Sequence, residues 1–346
     1  MAPPPPAELL FLDQDAVLAA GVLDMRQAMR AVGESLALFA QGECRQPHKV
    51  VLRFGESAAC EARGRINGLC AYVGGAVQAM GMKWIASFPA NRARGLPRAS
   101  ALVILNSPET GLPLAIMDGT LISAMRTGAV TGLGAGYLAP AAAQVAAVVG
   151  AGVQARTQIL GLWTALPGLR TIRVVNRCRA HAEALAEECR VRWQAPVEAV
   201  ETIPAALAEA DIALTITTAD APIIFARDIK PGALTIQLSG HECEFEVLAQ
   251  CQKLVVDDWE TVKHRGIMTP ALMHQAGLLP DHRIYAGLGE LIAGSKPGRT
   301  DDRERIHFAH MGMGVDDVAL AAAIYRTACA QGLGQPLRLW REPLWV

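Results

Sequence analysis

The chain has 346 residues, enough for about two domains. Half of it (51%) is apolar, 19% is charged and the net charge is −1 without a basic patch, which fits a globular protein with a large core and argues against a nucleic-acid partner. The eight cysteines (44, 60, 70, 178, 189, 243, 251, 329) include no Cys-x-x-Cys pair and sit in apolar or helical stretches, so they read as reduced thiols in a cytoplasmic protein.

Met1–Pro6 is a proline tract with neither the basic nor the apolar region of a signal peptide. Leu9–Leu12 reads as a short strand. Asp24 is the expected N-cap of a helix that runs to about Gln41 and stops at Gly42. Short apolar strands are expected at 49–54, 69–74, 81–87, 100–105 and 114–117, separated by Gly-rich and Asn-Arg-Ala-Arg-Gly segments. Between Arg126 and Arg156 no charge occurs, a length that could cross a bilayer. Its glycines, Pro140 and Gln144 divide it instead into a buried helix, about 120–138, and a buried strand, so no membrane association is expected.

Beyond residue 140 the pattern alternates. Strands are expected at 144–149, 171–176, 196–200, 211–216, 234–238 and 253–257 with helices between most of them, the pattern of a doubly wound parallel sheet. A strand at Ile306–Ala309, a Gly-rich turn and a helix Val315–Gln331 follow. The last segment, with Trp340 and Trp345, is too apolar for a free tail and is expected to pack back on the N-terminal part. The expected architecture is α/β: a Rossmann doubly wound sheet (131–309) and a discontinuous α+β domain (1–130 with 310–346).

The chemistry is concentrated in three places. At Val145–Ala155 an apolar β-branched run ends in Gly-x-Gly-x-x-Ala and a helical pattern follows. Gly150 permits a tight turn, Gly152 lets the backbone approach a pyrophosphate, and Ala155 lets the helix pack on the strand; Val153 and Gln154 complete the turn of an NAD or NADP site. The next strand ends Asn176-Arg177-Cys178-Arg179, where NAD-selective folds place an acid for the ribose; the guanidiniums of Arg177 and Arg179 suit a 2′-phosphate, and a solvated helix start is the plain alternative. Arg126 stands alone in an apolar helix and needs an anion. That anion is either a substrate carboxylate or a structural partner such as Asp118.

Met117–Val130, the turn Gly150–Ala155 and Met311-Gly312-Met313-Gly314-Val315-Asp316-Asp317 together resemble the ornithine cyclodeaminase/μ-crystallin family, over about residues 45–330. The resemblance implies a substrate and dimerisation domain plus a Rossmann domain, a homodimer, and a small amino-acid substrate held between the two domains facing the nicotinamide. It matches Arg126 to the family's carboxylate-binding arginine, Lys83 to its active-site lysine and Lys49 to a further cation, with Thr127, Thr217 and Gly312 as additional cofactor contacts. The physics of Lys83 agrees: between Met82 and Trp84-Ile85 on a half-buried strand its ammonium seeks an anion, the alternative being a solvent-facing strand residue.

Lys83–Pro89 followed by Gly95–Ser100, with Gln46–Lys49 and Leu52-Arg53, is most similar to the dehydrogenases of 2,3-diaminopropionate biosynthesis of the staphyloferrin B type. These oxidise the C–N bond of N-(2-amino-2-carboxyethyl)-L-glutamate and release 2,3-diaminopropionate and 2-oxoglutarate; extra cations such as Arg53 or Arg98 suit that substrate. The family's general base falls on His241 or Glu242, with Glu242 the preferred position; both can activate water, and a polar loop is the alternative. Adjacent residues in His241–Glu244 cannot converge on one ion, so no metal is expected. His310 stands before the Gly-rich turn, either near the nicotinamide or as a core histidine. The competing activities are ornithine cyclodeaminase, ketimine or pyrroline-2-carboxylate reductase, and non-enzymatic cofactor binding of the μ-crystallin kind.

Overall fold

The computed structural model describes residues 7–54 and 64–345; Met1–Pro6 and Cys60 lie outside them. In chain order the first elements are β1 (Ala7–Leu12), α1 (Gln14–Ala19), α2 (Met25–Ala40), β2 (Cys44–Arg45), β3 (Val50–Phe54), β4 (Gly64–Val73), β5 (Ala79–Ser87), β6 (Ala99–Asn106), β7 (Pro113–Asp118) and α3 (Thr120–Leu138). The alternating region follows with β8 (Val145–Val149), α4 (Ala155–Ala165), β9 (Thr171–Val175), α5 (Arg179–Trp193), β10 (Val197–Ala199), α6 (Ile203–Leu207), β11 (Ile212–Thr215), β12 (Leu234–Gln237), α7 (Phe245–Ala249), β13 (Lys253–Val256), α8 (Trp259–Arg265), α9 (Thr269–Gln275), β14 (Ile284–Gly287), α10 (Leu288–Ile292) and β15 (Ile306–Ala309), and the chain closes with α11 (Gly314–Gln331) and β16 (Gln335–Trp340).

These elements divide into two units: Met1–Arg126 with Met313–Val346, and Thr127–Gly312. The first is built on a sheet of order β16-β1-β7-β6-β5-β4-β2, with β3 on β4. Its pairings are antiparallel except β1 with β7. Asp24 caps α2, accepting from the Gln27 amide at 3.1 Å. Asp118 accepts from the amides of Thr120 and Leu121 and so starts α3. The C-terminal segment does return to this unit as β16 on β1. Trp345 departs from expectation: it is 85% exposed, because the strand ends at Trp340 and nothing beyond it adds a ladder.

The second unit is an eight-stranded, wholly parallel sheet of order β10-β9-β8-β11-β12-β15-β13-β14, the doubly wound arrangement. Strands β8, β11, β12, β13 and β15 are buried along nearly their whole length, so β8 is a continuous apolar run, and the polar Thr215, Thr235, Gln237, Lys253 and His307 of the others are buried too. β14 has no counterpart among the expected strands; Ile284-Tyr285-Ala286-Gly287 is too short and mixed to stand out. The uncharged stretch 126–156 resolves into α3 and β8, and among the described residues no helix is long and apolar enough to cross a membrane.

Two glycine positions fix this unit's geometry. Gly150 has φ +117°, and a Cβ there would lie 2.5 Å from the Ile216 carbonyl. Gly161 on α4 packs backbone to backbone on α3, and a Cβ at Gly132 would lie 2.7 Å from the Gly161 carbonyl. Gly161→Ala should therefore force α3 and α4 apart and lower unfolding stability by about 1–3 kcal/mol; a urea midpoint equal to that of the parent chain would refute this contact as a constraint.

Candidate active site

In the first unit β5 points Lys83 inward, and the side chain is only 2% exposed, so it is not a solvent-facing strand residue. Its ammonium lies 2.6 Å from Asp317 Oδ2 and donates to Ser123 Oγ at 3.1 Å. Arg126, one turn beyond Ser123 on α3, donates through Nε to Asp317 Oδ1 at 3.0 Å. The buried partner of Arg126 is thus Asp317, not Asp118, whose carboxylate is occupied with the start of α3. Two cations share one carboxylate, and Arg126 Nη1 is buried without a hydrogen-bond partner. Asp316, also buried, adds a second negative charge acting on Lys83, so what the arrangement offers a further carboxylate is the unused guanidinium donor of Arg126.

Burial, reinforced by the neighbouring Arg126, pushes the Lys83 ammonium down to about 8 against the opposing pull of Asp317. At the first turn of α11, Asp316 accepts from the Met313 amide at 3.2 Å, and Gln46 accepts from the Val315 amide at 3.1 Å. These bonds set the helix that carries Asp317. Lys49 is half-buried just before β3. Arg53, on β3, is exposed and directly opposite Arg65 of β4 rather than beside Lys83.

In the second unit Gly150 ends β8 and its amide donates to Val175 O at 2.9 Å. A Cβ at Gly152 would meet nothing within 4 Å, so the backbone there is open to a ligand at the N-terminus of the eleven-residue α4. Ala155 is fully buried against the strand and Val153 is 65% exposed on the turn. Gln154 stands at the cap of α4, its carbonyl accepting from Thr157 Oγ1 at 3.1 Å. Asn176 Oδ1 accepts from the Ala151 amide at 3.2 Å, tying the end of β9 to the glycine turn. Arg177 is exposed, whereas Arg179 is paired with Glu183 and Glu201. Thr127 is the first residue of this unit, on α3.

Glu242 is fully buried. It accepts from Thr215 Oγ1 at 2.9 Å and from the Thr217 amide and hydroxyl at 2.7 and 2.6 Å, and burial raises its pKa against these donors. Its place is inside the β11–β12 loops. His241 is half-buried with its ring 5.3 Å from Phe245, and Nε2 has no partner. His310 is buried, 2.8 Å from Thr131 Oγ1 and stacked on Phe308. Asp257, unmarked in the sequence reading, accepts from the amides of Met311 and Gly312 at 2.7 and 2.6 Å, and burial pushes it up to about 6. Asp317 lies in the Gly-rich motif that leads into α11, but nothing in the sequence marks it as the partner of Arg126, 191 residues away.

A family model for the ornithine cyclodeaminase/mu-crystallin family matches residues 11–332. The chain belongs to that family. It is 33% identical to an alanine dehydrogenase of Archaeoglobus fulgidus over 96% of this chain and 99% of the relative. It is 31% identical to an N-((2S)-2-amino-2-carboxyethyl)-L-glutamate dehydrogenase of Staphylococcus aureus, again over 96% and 99%. A solved archaeal alanine dehydrogenase dimer with bound NAD superposes with a TM-score of 0.86 at 30% identity, covering 96% of this chain and all of that one.

The ionisation of Lys83 makes a pH prediction. Above about pH 8 the free protein loses that ammonium, so affinity for a carboxylate without an amine, such as pyruvate, should fall by up to about tenfold per pH unit. Lys83→Met should bind it weakly at every pH, without this dependence. Calorimetric titration from about pH 6.5 to 9.5 checks it; an affinity that stays flat in the parent chain would contradict the role of Lys83.

Proposed function

We propose that this protein oxidises the C–N bond of N-(2-amino-2-carboxyethyl)-L-glutamate and releases 2,3-diaminopropionate and 2-oxoglutarate. It is an oxidoreductase of the nicotinamide-dinucleotide type, consistent with its family and its doubly wound unit. The observation that carries the substrate half is the buried Lys83–Asp317–Arg126 arrangement with its unused Nη1 donor. The staphylococcal relative supplies the particular substrate.

The open backbone at Gly152 and the α4 N-terminus fit a pyrophosphate, with Gly150, Val153, Gln154 and Ala155 shaping the turn and Asn176 and Thr217 beside it; the family resemblance adds Thr127 and Gly312 as cofactor contacts. Arg177 is the exposed guanidinium available to a 2′-phosphate, and the cofactor is NAD or NADP. When bound, it supplies the hydride acceptor.

Lys83 and Arg126 hold the α-carboxylate of the glutamate half, with Lys49 as a further cation, and thereby fix the orientation of its Cα–H. The substrate loses a hydride from Cα and a proton from nitrogen, forming a C=N bond. One water then adds across that bond, and the C–N bond breaks to give the 2-oxo acid and the primary amine. We assign water activation to His241, whose Nε2 is uncommitted, with Glu242 holding the loop beneath it through Thr215 and Thr217.

The test is a nicotinamide absorbance assay with NAD and NADP against this substrate, alanine, ornithine and pyrroline-2-carboxylate. Arg126→Ala should lose about 2–5 kcal/mol of transition-state binding, and His241→Asn should lower kcat while dinucleotide affinity holds. Full activity in the Arg126 variant would sink the assignment, as would preference for another of the four substrates.

The partner is a second copy of the chain. The face of the first sheet opposite Lys83 carries Val50 and Leu52 of β3, Trp84 of β5 and Leu102 of β6, between 42% and 69% exposed, with β4 between β3 and β5. The archaeal relative of the same fold is described as a dimer. Light scattering should give a dimer for the parent chain and a monomer for Trp84→Glu; a monomeric parent would disprove the pairing.

A further inference from the structure

The inner face of the first sheet carries a second group of cations beyond Lys83. In antiparallel pairing, residues directly opposite share a face and alternate residues along a strand return to it. Lys83 is opposite Leu69, Ile85 opposite Asn67, and Ser87 opposite Arg65, while Arg53 of β3 is also opposite Arg65. Lys83, Asn67, Arg65 and Arg53 therefore lie on one face, and four residues of β5 separate the Lys83 row from the Arg65 row, about 13 Å. Arg98, which begins the return to β6, is half-buried, and its ionisation is lowered by burial and then by the guanidiniums of Arg92 and Arg65. The loop that carries it is fixed: the Phe88 amide donates to the Arg98 carbonyl at 2.7 Å and Asn91 Nδ2 to the Pro97 carbonyl at 3.1 Å.

Like charges placed opposite one another destabilise a sheet unless an anion lies between them. Among the described residues none of Arg53, Arg65, Arg92 and Arg98 has a carboxylate in ion-pair distance. Arg65 Nε and Asn67 Oδ1 are both buried without a hydrogen-bond partner.

We infer that Arg65 and Arg53, with Arg98 from the adjoining loop, form a subsite for a second carboxylate of the substrate. This rests on the proposed function and deepens it. The carboxylate is the γ-carboxylate of the glutamate half. The other arm carries an ammonium next to its carboxylate, and a group made only of guanidiniums repels that ammonium. The gap of about 13 Å between the rows is within the combined length of a lysine side chain, an arginine side chain and a five-carbon dicarboxylate. This subsite separates a dicarboxylic amino acid from alanine, which fills only the Lys83–Arg126 end.

The experiment uses the full chain and two probes, 2-oxoglutarate and pyruvate, with calorimetry on the parent, Arg65→Gln and Arg98→Gln; NADH affinity reports that each variant is folded. The parent should bind 2-oxoglutarate more tightly than pyruvate. Each variant should weaken 2-oxoglutarate about 10- to 100-fold, the usual effect of losing one charged hydrogen-bond partner, and shift pyruvate far less. The KM for N-(2-amino-2-carboxyethyl)-L-glutamate should rise in parallel. Equal weakening of both probes, or no weakening of 2-oxoglutarate in either folded variant, overturns the subsite. Selective loss of 2-oxoglutarate without turnover of that substrate upholds the subsite and instead overturns the proposed reaction. If Arg65→Gln does not fold, Arg98→Gln alone decides.

Discussion

Asp317 sets the terms for the first unit's chemistry. Burying an ammonium and a guanidinium a few ångströms apart costs several kcal/mol in desolvation and mutual repulsion, and an intervening carboxylate offsets much of it. With Asp317 in place, Lys83 and Arg126 stay buried and oriented; without it the two cations would repel each other inside the core. One carboxylate shared by two cations also leaves Arg126 Nη1 without a hydrogen-bond partner. That spare donor makes the arrangement a binding device rather than a closed ion pair. It also explains why the Lys83 ammonium is held near 8: burial and Arg126 lower it by more than Asp317 restores.

The second unit uses buried carboxylates differently. Glu242 and Asp257 accept mainly from backbone amides and hydroxyls rather than from cations. Each gathers the N–H groups of an irregular loop at a strand end, where no ladder can satisfy them. Glu242 collects Thr215 and Thr217 after β11; Asp257 collects Met311 and Gly312 after β15. Both carboxyls are raised by burial, which is the cost of fixing loops at the strand ends where doubly wound folds bind ligands.

Much of this was legible in the sequence, for physical reasons that differ by element. α3 could be bounded at 120–138 because an apolar run of helical length is stopped by Pro140. The parallel strands were visible because burial on both faces makes them largely apolar, with β8 wholly so. The dinucleotide turn was legible because it depends on backbone conformation and missing Cβ atoms, which glycine encodes directly. The partner of Arg126 was not, because 191 residues separate it from Asp317 and only the tertiary fold decides which carboxylate reaches it. Asp118 was nearer in sequence, yet α3 needed its oxygens for capping. Asp257 was invisible for the same reason: its partners are amides, and a sequence carries no mark of an unsatisfied backbone N–H.

The strand alternation of the first sheet explains how one strand serves two purposes. On β5, Lys83 points to the buried face and Trp84, the next residue, to the exposed one; Ile85 returns to the face of Asn67 and Arg65. A shift of register by one residue would exchange the two sets, placing the ammonium on the apolar face and the indole against Asp317. The cation site and the apolar face are therefore specified together, and any change that preserves one register preserves both.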